Sequence, residues 1–99
     1  MPRPETARAN PTWTFLSNHS HVLVLLSRDP GMLLREVADR VGITERAVQR
    51  IVQELVAGGY LEVERVGRRN RYRVLADRTL RHPVEQGTRL RDLLAILRE

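Results

Sequence analysis

Residues 44–53, TERAVQRIVQ, place four hydrogen-bonding side chains at helical spacing. Arg46 and Arg50 are four residues apart and share a face, while Gln49 and Gln53 share the neighbouring one. Arginine can read guanine O6 and N7 with two parallel bonds, and glutamine can read adenine N6 and N7. The same side chains can instead hold phosphates, which outnumber base edges as partners in such interfaces. Thr44 is a good N-cap, and the unpaired amides behind it suit a phosphate. Glu45 either favours the helix dipole at the first position or accepts from cytosine N4. A second cluster follows at 65–73, where Arg65, Arg68, Arg69, Arg71 and Arg73 stand without an acid among them. An isolated hairpin tip of this kind reads as a solvated surface. Beside a polar helix face it reads as an anion contact through Arg68, Arg69 or Arg71, because arginine suits both phosphate forks and narrow minor grooves. Asn70 either shapes the turn or reaches a base edge.

Other chemistry finds little support. The chain has no cysteine, which excludes disulfides, thiolate metal ligands and cysteine nucleophiles. His19 and His21 are two apart and diverge on a helix, and His82 precedes a proline, so no metal site is expected. The glycines sit at turns rather than in a phosphate-cradling loop. Ser17, Ser20 and Ser27 lack a surrounding base-and-acid pattern. The chain reads as a binding protein without a cofactor, not an enzyme.

Elements of recognisable pattern must hold the two clusters in place. Val37, Ala38 and Val41 line one helical face, Gly42 ends that helix, and Ile43 plugs the corner. Val48, Ile51, Val52 and Leu55 recur at i, i+3, i+4 and i+7, so the next helix buries one stripe and exposes the polar one. Gly58-Gly59 stops it. Tyr60 to Val66 alternates as a half-buried strand, Gly67 to Asn70 forms a four-residue turn, and Arg71 to Val74 returns. A symmetric hairpin then pairs Val63 with Val74, Arg65 with Tyr72 and Glu64 with Arg73. Upstream, a helix from Asn18 to Arg28 is capped by Ser17 and buries Val22, Leu23, Leu25 and Leu26. Asp29-Pro30-Gly31 ends it, and Met32-Leu33 reads as a short strand.

The helical pair resembles the helix-turn-helix of winged-helix transcription regulators of the MarR/ArsR-like kind, on Val37, Ala38, Val41, Gly42, Ile43, Val48 and Ile51. With the basic hairpin the resemblance covers roughly residues 18–75. It implies a mostly α fold with a small β-hairpin (α+β): a three-helical core, a wing and a C-terminal helix. It also implies that the helix after Thr44, at about 45–57, enters the major groove while the wing at 66–71 meets the minor groove or backbone. The ArsR-like branch often senses metals through cysteines, which this sequence lacks.

The organisation expected is a flexible tail over 1–11, a winged domain over 12–76 and an extension over 77–99. The tail's Arg3 and Arg8 either reach a phosphate or minor groove or, in the plainer reading, stay solvated in a disordered segment. Trp13 and Phe15 carry two of the four aromatics, so their segment is expected to pack. Residues 76–86 run back across the domain. Thr88 caps a last helix whose Leu90, Leu93, Leu94 and Leu97 line one side. With Trp13 and Phe15 these leucines are expected to form a homodimer seam, the competing reading being that they cover the first helix within one chain. A small effector is expected near Trp13 and Phe15.

Every basic residue but the histidines is arginine, which codon bias explains as readily as function, while the net charge of +5 favours an anionic partner. No apolar run approaches the ~18 residues of a membrane span, and no signal-peptide core is evident, so a cytoplasmic protein is expected. Together these features favour a sequence-specific regulator of double-stranded DNA, most simply a repressor. The alternative is a winged-helix protein-interaction module in a larger assembly. RNA binding is weaker, since no single-strand platform is visible.

Overall fold

The computed structural model describes residues 11–97. The expected tail, with Arg3 and Arg8, lies outside the described residues except for Pro11. Four helices and one hairpin follow: α1 (Asn18–Arg28), α2 (Leu34–Val41), α3 (Glu45–Ala57), β1 (Leu61–Val66), β2 (Arg69–Val74) and α4 (Leu90–Ile96), with a 3₁₀ turn at Pro83–Glu85.

Local chemistry sets each boundary. Ser17 Oγ accepts from the Ser20 N–H to start α1. Gly42 takes φ 89°, and the Gly42 and Ile43 amides both return to the Ala38 carbonyl, so the first helix of the pair closes without a Cβ clash. Thr44 Oγ1 accepts from the Ala47 N–H at 3.0 Å and opens α3. At the far end Gly59 takes φ 86°, and the Gly59 and Tyr60 amides close on Val56 and Leu55.

The apolar stripes meet as the periodicity requires. Val22, Leu23, Leu25 and Leu26 of α1 pack with Val37 and Ala38 of α2 and with Val48, Ile51, Val52 and Leu55 of α3. Leu61 and Tyr72 close that cluster from the hairpin.

Several expectations are corrected. The hairpin is two residues out of the expected register: Leu61 faces Val74, Val63 faces Tyr72, Glu64 faces Arg71, Arg65 faces Asn70 and Val66 faces Arg69. The turn is Gly67-Arg68 alone. Gly67 at φ 63° supplies the positive φ of a tight hairpin turn, so the strands need no longer loop. A slip of two keeps every side chain on its face, so the alternating pattern could not reveal it. Asn70 consequently sits in β2 rather than the turn, and its φ is not positive. Met32-Leu33 is not a strand. Its neighbour Pro30 instead accepts a single bond from the Tyr72 N–H at 2.9 Å, and Leu33 is the N-cap of α2.

The C-terminal helix is docked, not spare. Its first amides, Leu90 and Arg91, donate at 2.8 Å to the Arg78 and Ala76 carbonyls. Arg91 pairs with Asp77, and Arg28 reaches the Leu97 carbonyl. Arg89, not Thr88, is the N-cap, with the Asp92 carboxylate accepting from its N–H. The Thr88 carbonyl meanwhile takes the Leu80 N–H. Leu90 is 2% exposed and belongs to the single-chain core, while Leu93 and Leu94 are half-buried against it. The competing reading therefore holds for Leu90, which has no surface left for a second chain. Trp13 and Phe15 also depart from expectation. They stack edge to face at 5.0 Å yet remain 67% and 91% exposed.

Candidate nucleic-acid interface

The polar stripe of α3 follows from burial of its opposite side. With Val48, Ile51, Val52 and Leu55 in the core, Glu45, Arg46, Gln49, Arg50 and Gln53 are left exposed. Among the described residues, the side chains of Arg46, Gln49, Arg50 and Gln53 have no hydrogen-bond partner within the chain. Thr44 spends its hydroxyl on the cap but leaves the helix N-terminus open to solvent. Glu45 sits at the first position of α3, where a carboxylate complements the helix dipole. Glu54 is different, because its carboxylate meets His19 Nε2 on α1 at 2.7 Å. That pair closes the stripe against α1. Residue spacing carries no hint of it, since the partners are 35 residues apart.

In the wing, the corrected register divides the five arginines. Arg73 pairs with Glu62, and Arg71 stands opposite Glu64 in the strand register without an ion pair to it. Arg65 Nε donates to the Gly67 carbonyl at 3.2 Å across its own turn. Arg69 donates from Nη2 to the Gly31 carbonyl at 2.7 Å. Arg68 has no such partner among the described residues, and nothing lies within 4 Å of where a Gly67 side chain would begin. The hairpin therefore presents Arg68 at an open tip, with Arg65, Arg69 and Arg73 engaged by carbonyls or an acid.

Arg78 carries no motif that would single it out in the sequence. Its guanidinium lies 3.6 Å from the position of a Cβ on Gly59, at the C-terminal end of α3. The last turn of α3 has no basic residue of its own, so Arg78 brings a cation to the negative end of that helix from about 20 residues downstream. Only the folded chain reveals this.

A separate cleft of about 600 Å³ lies beneath Trp13, between α1 and the end of α2. Leu16, Val24 and Ile43 give it apolar walls, and His21, Arg28 and Arg40 add polar ones. Phe15 is not among its lining residues. Among the described residues no group of three or more histidine or acidic side chains could hold a metal ion, and no helix is long and apolar enough to cross a membrane.

Comparison with known proteins bears on the same segment. No curated protein matches the sequence. The PcaV transcriptional regulator from Streptomyces coelicolor, crystallised in complex with its natural ligand, is 32% identical over the matched region with a TM-score of 0.52. The match covers 60% of this chain and 44% of PcaV, so the chain spans less than half the length of that regulator. The MarR family model matches residues 14–71, from beside Trp13 through α1, the helix-turn-helix and most of the wing. That segment is more than half of the sequence, and the chain belongs to the MarR family.

Proposed function

We propose that this chain is a cytoplasmic, sequence-specific regulator of transcription that binds double-stranded DNA as a homodimer and acts as a repressor by occupying its operator. In this reading α3 lies in the major groove, with Arg46, Gln49, Arg50 and Gln53 offered to base edges and phosphates, and the α3 N-terminus at Thr44 offered to a phosphate. The wing tip meets the minor groove or the backbone through Arg68, with Arg69, Asn70 and Arg71 beside it.

The observation that carries the proposal is the exposed quartet on α3. Two arginines and two glutamines stand on a helix buried along its other side, with none of their side chains engaged among the described residues. The +5 charge and family membership point the same way.

The dimer seam of this reading is formed by Trp13, Phe15 and Leu97, with the outer surfaces of Leu93 and Leu94. Exposure of the aromatic pair supports it, because stacking on each other leaves most of both rings in water. The cleft beneath Trp13 supports a small-molecule effector, as does the natural ligand seen in PcaV.

Selection of bound fragments from a random duplex library tests the proposal. A shared motif in two related halves, about 34–36 Å apart, is expected from a two-fold dimer. Recovery of unrelated sequences would remove sequence-specific recognition.

A further inference from the structure

The wing is fastened at two points to one turn, Pro30-Gly31, which leads from α1 into the helix-turn-helix. The Tyr72 N–H donates to the Pro30 carbonyl at 2.9 Å, and Arg69 Nη2 donates to the next carbonyl, Gly31, at 2.7 Å. The turn receiving both is itself fixed. Asp29 Oδ1 accepts from the Gly31 N–H, and the Asp29 carbonyl accepts from Met32. Met32 is buried and Leu33 begins α2, so the turn is rigidly continuous with the helical pair.

Position in the hairpin gives the Arg69 contact leverage. Arg69 faces Val66 in the pair that closes the Gly67-Arg68 turn, so it is the residue of β2 nearest the tip. Tyr72, buried in the core midway along β2, anchors the hairpin three residues from Arg69; that anchor alone leaves the tip beyond it free to pivot. A second anchor at Arg69 fixes the angle at which Arg68 projects.

We propose that Arg69 is a positioning residue, a latch from the wing to the Pro30-Gly31 turn that holds the wing at a set angle to α3, rather than one of the wing's contacts to DNA. Its consequence for affinity rests on the DNA-binding reading above; the latch itself is a property of the free protein. Without the latch the wing samples several directions, and binding is reduced by the fraction of time the tip is aligned. The charge that meets DNA, from Arg68, is unchanged.

Two measurements on the full chain test this. The first is hydrogen–deuterium exchange of the free protein. In Arg69→Ala the amides of 69–74, Tyr72 included, should exchange faster, while Arg68→Ala should match the unsubstituted protein. Arg69→Lys should recover most of the protection, because an ammonium can donate to the same carbonyl. The second is the salt dependence of binding to a labelled random-sequence 30-bp duplex. Arg68→Ala should reduce the slope of log K against log salt by about 1, the signature of a lost phosphate contact. Arg69→Ala should weaken binding about 2–10-fold at fixed salt, the scale of one net hydrogen bond, with the slope unchanged. Unchanged exchange in Arg69→Ala overturns the latch, and so does a slope reduced as in Arg68→Ala. If the unsubstituted chain binds no duplex at all, the regulator reading fails while the exchange experiment still decides the latch.

Discussion

At the residue scale, the fate of each arginine depends on what the fold places opposite it. Arg46 and Arg50 stand on a stripe where core packing occupies the other side and no acid on α3 pairs with them. Arg71 and Arg73 have the same chemistry but face Glu64 and Glu62. A DNA phosphate must therefore compete with a carboxylate for Arg73, but not for Arg50. Arg50→Ala is expected to cost ~1–3 kcal/mol of binding to a selected operator and less on random duplex, measured by fluorescence anisotropy on both. Equal losses on the two would reassign Arg50 to the backbone. Arg78→Ala tests the cation at the end of α3, with an expected loss of ~0.3–1 kcal/mol in urea melts that shrinks in high salt. Loss that is insensitive to salt would point to packing on Gly59 instead.

At the element scale, Gly42 and Thr44 set the angle between the two helices of the motif. Gly42→Ala forces a Cβ into φ 89° and should cost ~1–2 kcal/mol of stability, read from chemical denaturation. Thr44→Ala removes the acceptor for the Ala47 amide and should cost ~0.5–2 kcal/mol. A neutral result at Gly42 would mean that the turn relaxes to another conformation. These two residues also show why the helix-turn-helix is legible in the amino-acid sequence. Its turn is encoded by a glycine, a cap and a 3.6-residue period, all local. The same holds for α1, whose limits Ser17 and Arg28 agree with the pattern. The wing is legible as a hairpin but not in register, because pairing Val63 with Val74 or with Tyr72 leaves every side chain on the same face. Arg69 reads as a free cation and Arg73 as the partner of Glu64 for that reason: the contacts they make, to Gly31 and Glu62, depend on the register. The docking of α4 is hidden further still. Leucines at i, i+3, i+4 and i+7 announce a buried stripe without saying against what, and the answer lies in backbone bonds from Leu90 and Arg91 to carbonyls of an irregular segment.

At the scale of the whole molecule, one core joins all four helices and the hairpin, and the proposed function assigns two surfaces of the described residues: the arginine-glutamine stripe with the wing to DNA, and the aromatic pair with Leu97 to a second copy. The second surface predicts self-association that can be removed without touching the core. Phe15→Asp, at a side chain 91% exposed, should leave the helical circular dichroism spectrum unchanged and convert dimer to monomer in sedimentation equilibrium. A dimer that survives the substitution would move the seam elsewhere. Leu90→Asp should instead unfold the chain, because that side chain is only 2% exposed and a carboxylate there has no partner. The most direct test of the first surface is the dependence of duplex binding on salt. With ~6–10 phosphates held by a dimer, affinity should fall about 10³–10⁵-fold between 50 and 200 mM salt. Affinity that stays level across that range, or no binding at the lower concentration, would contradict a DNA-reading role for the stripe and the wing.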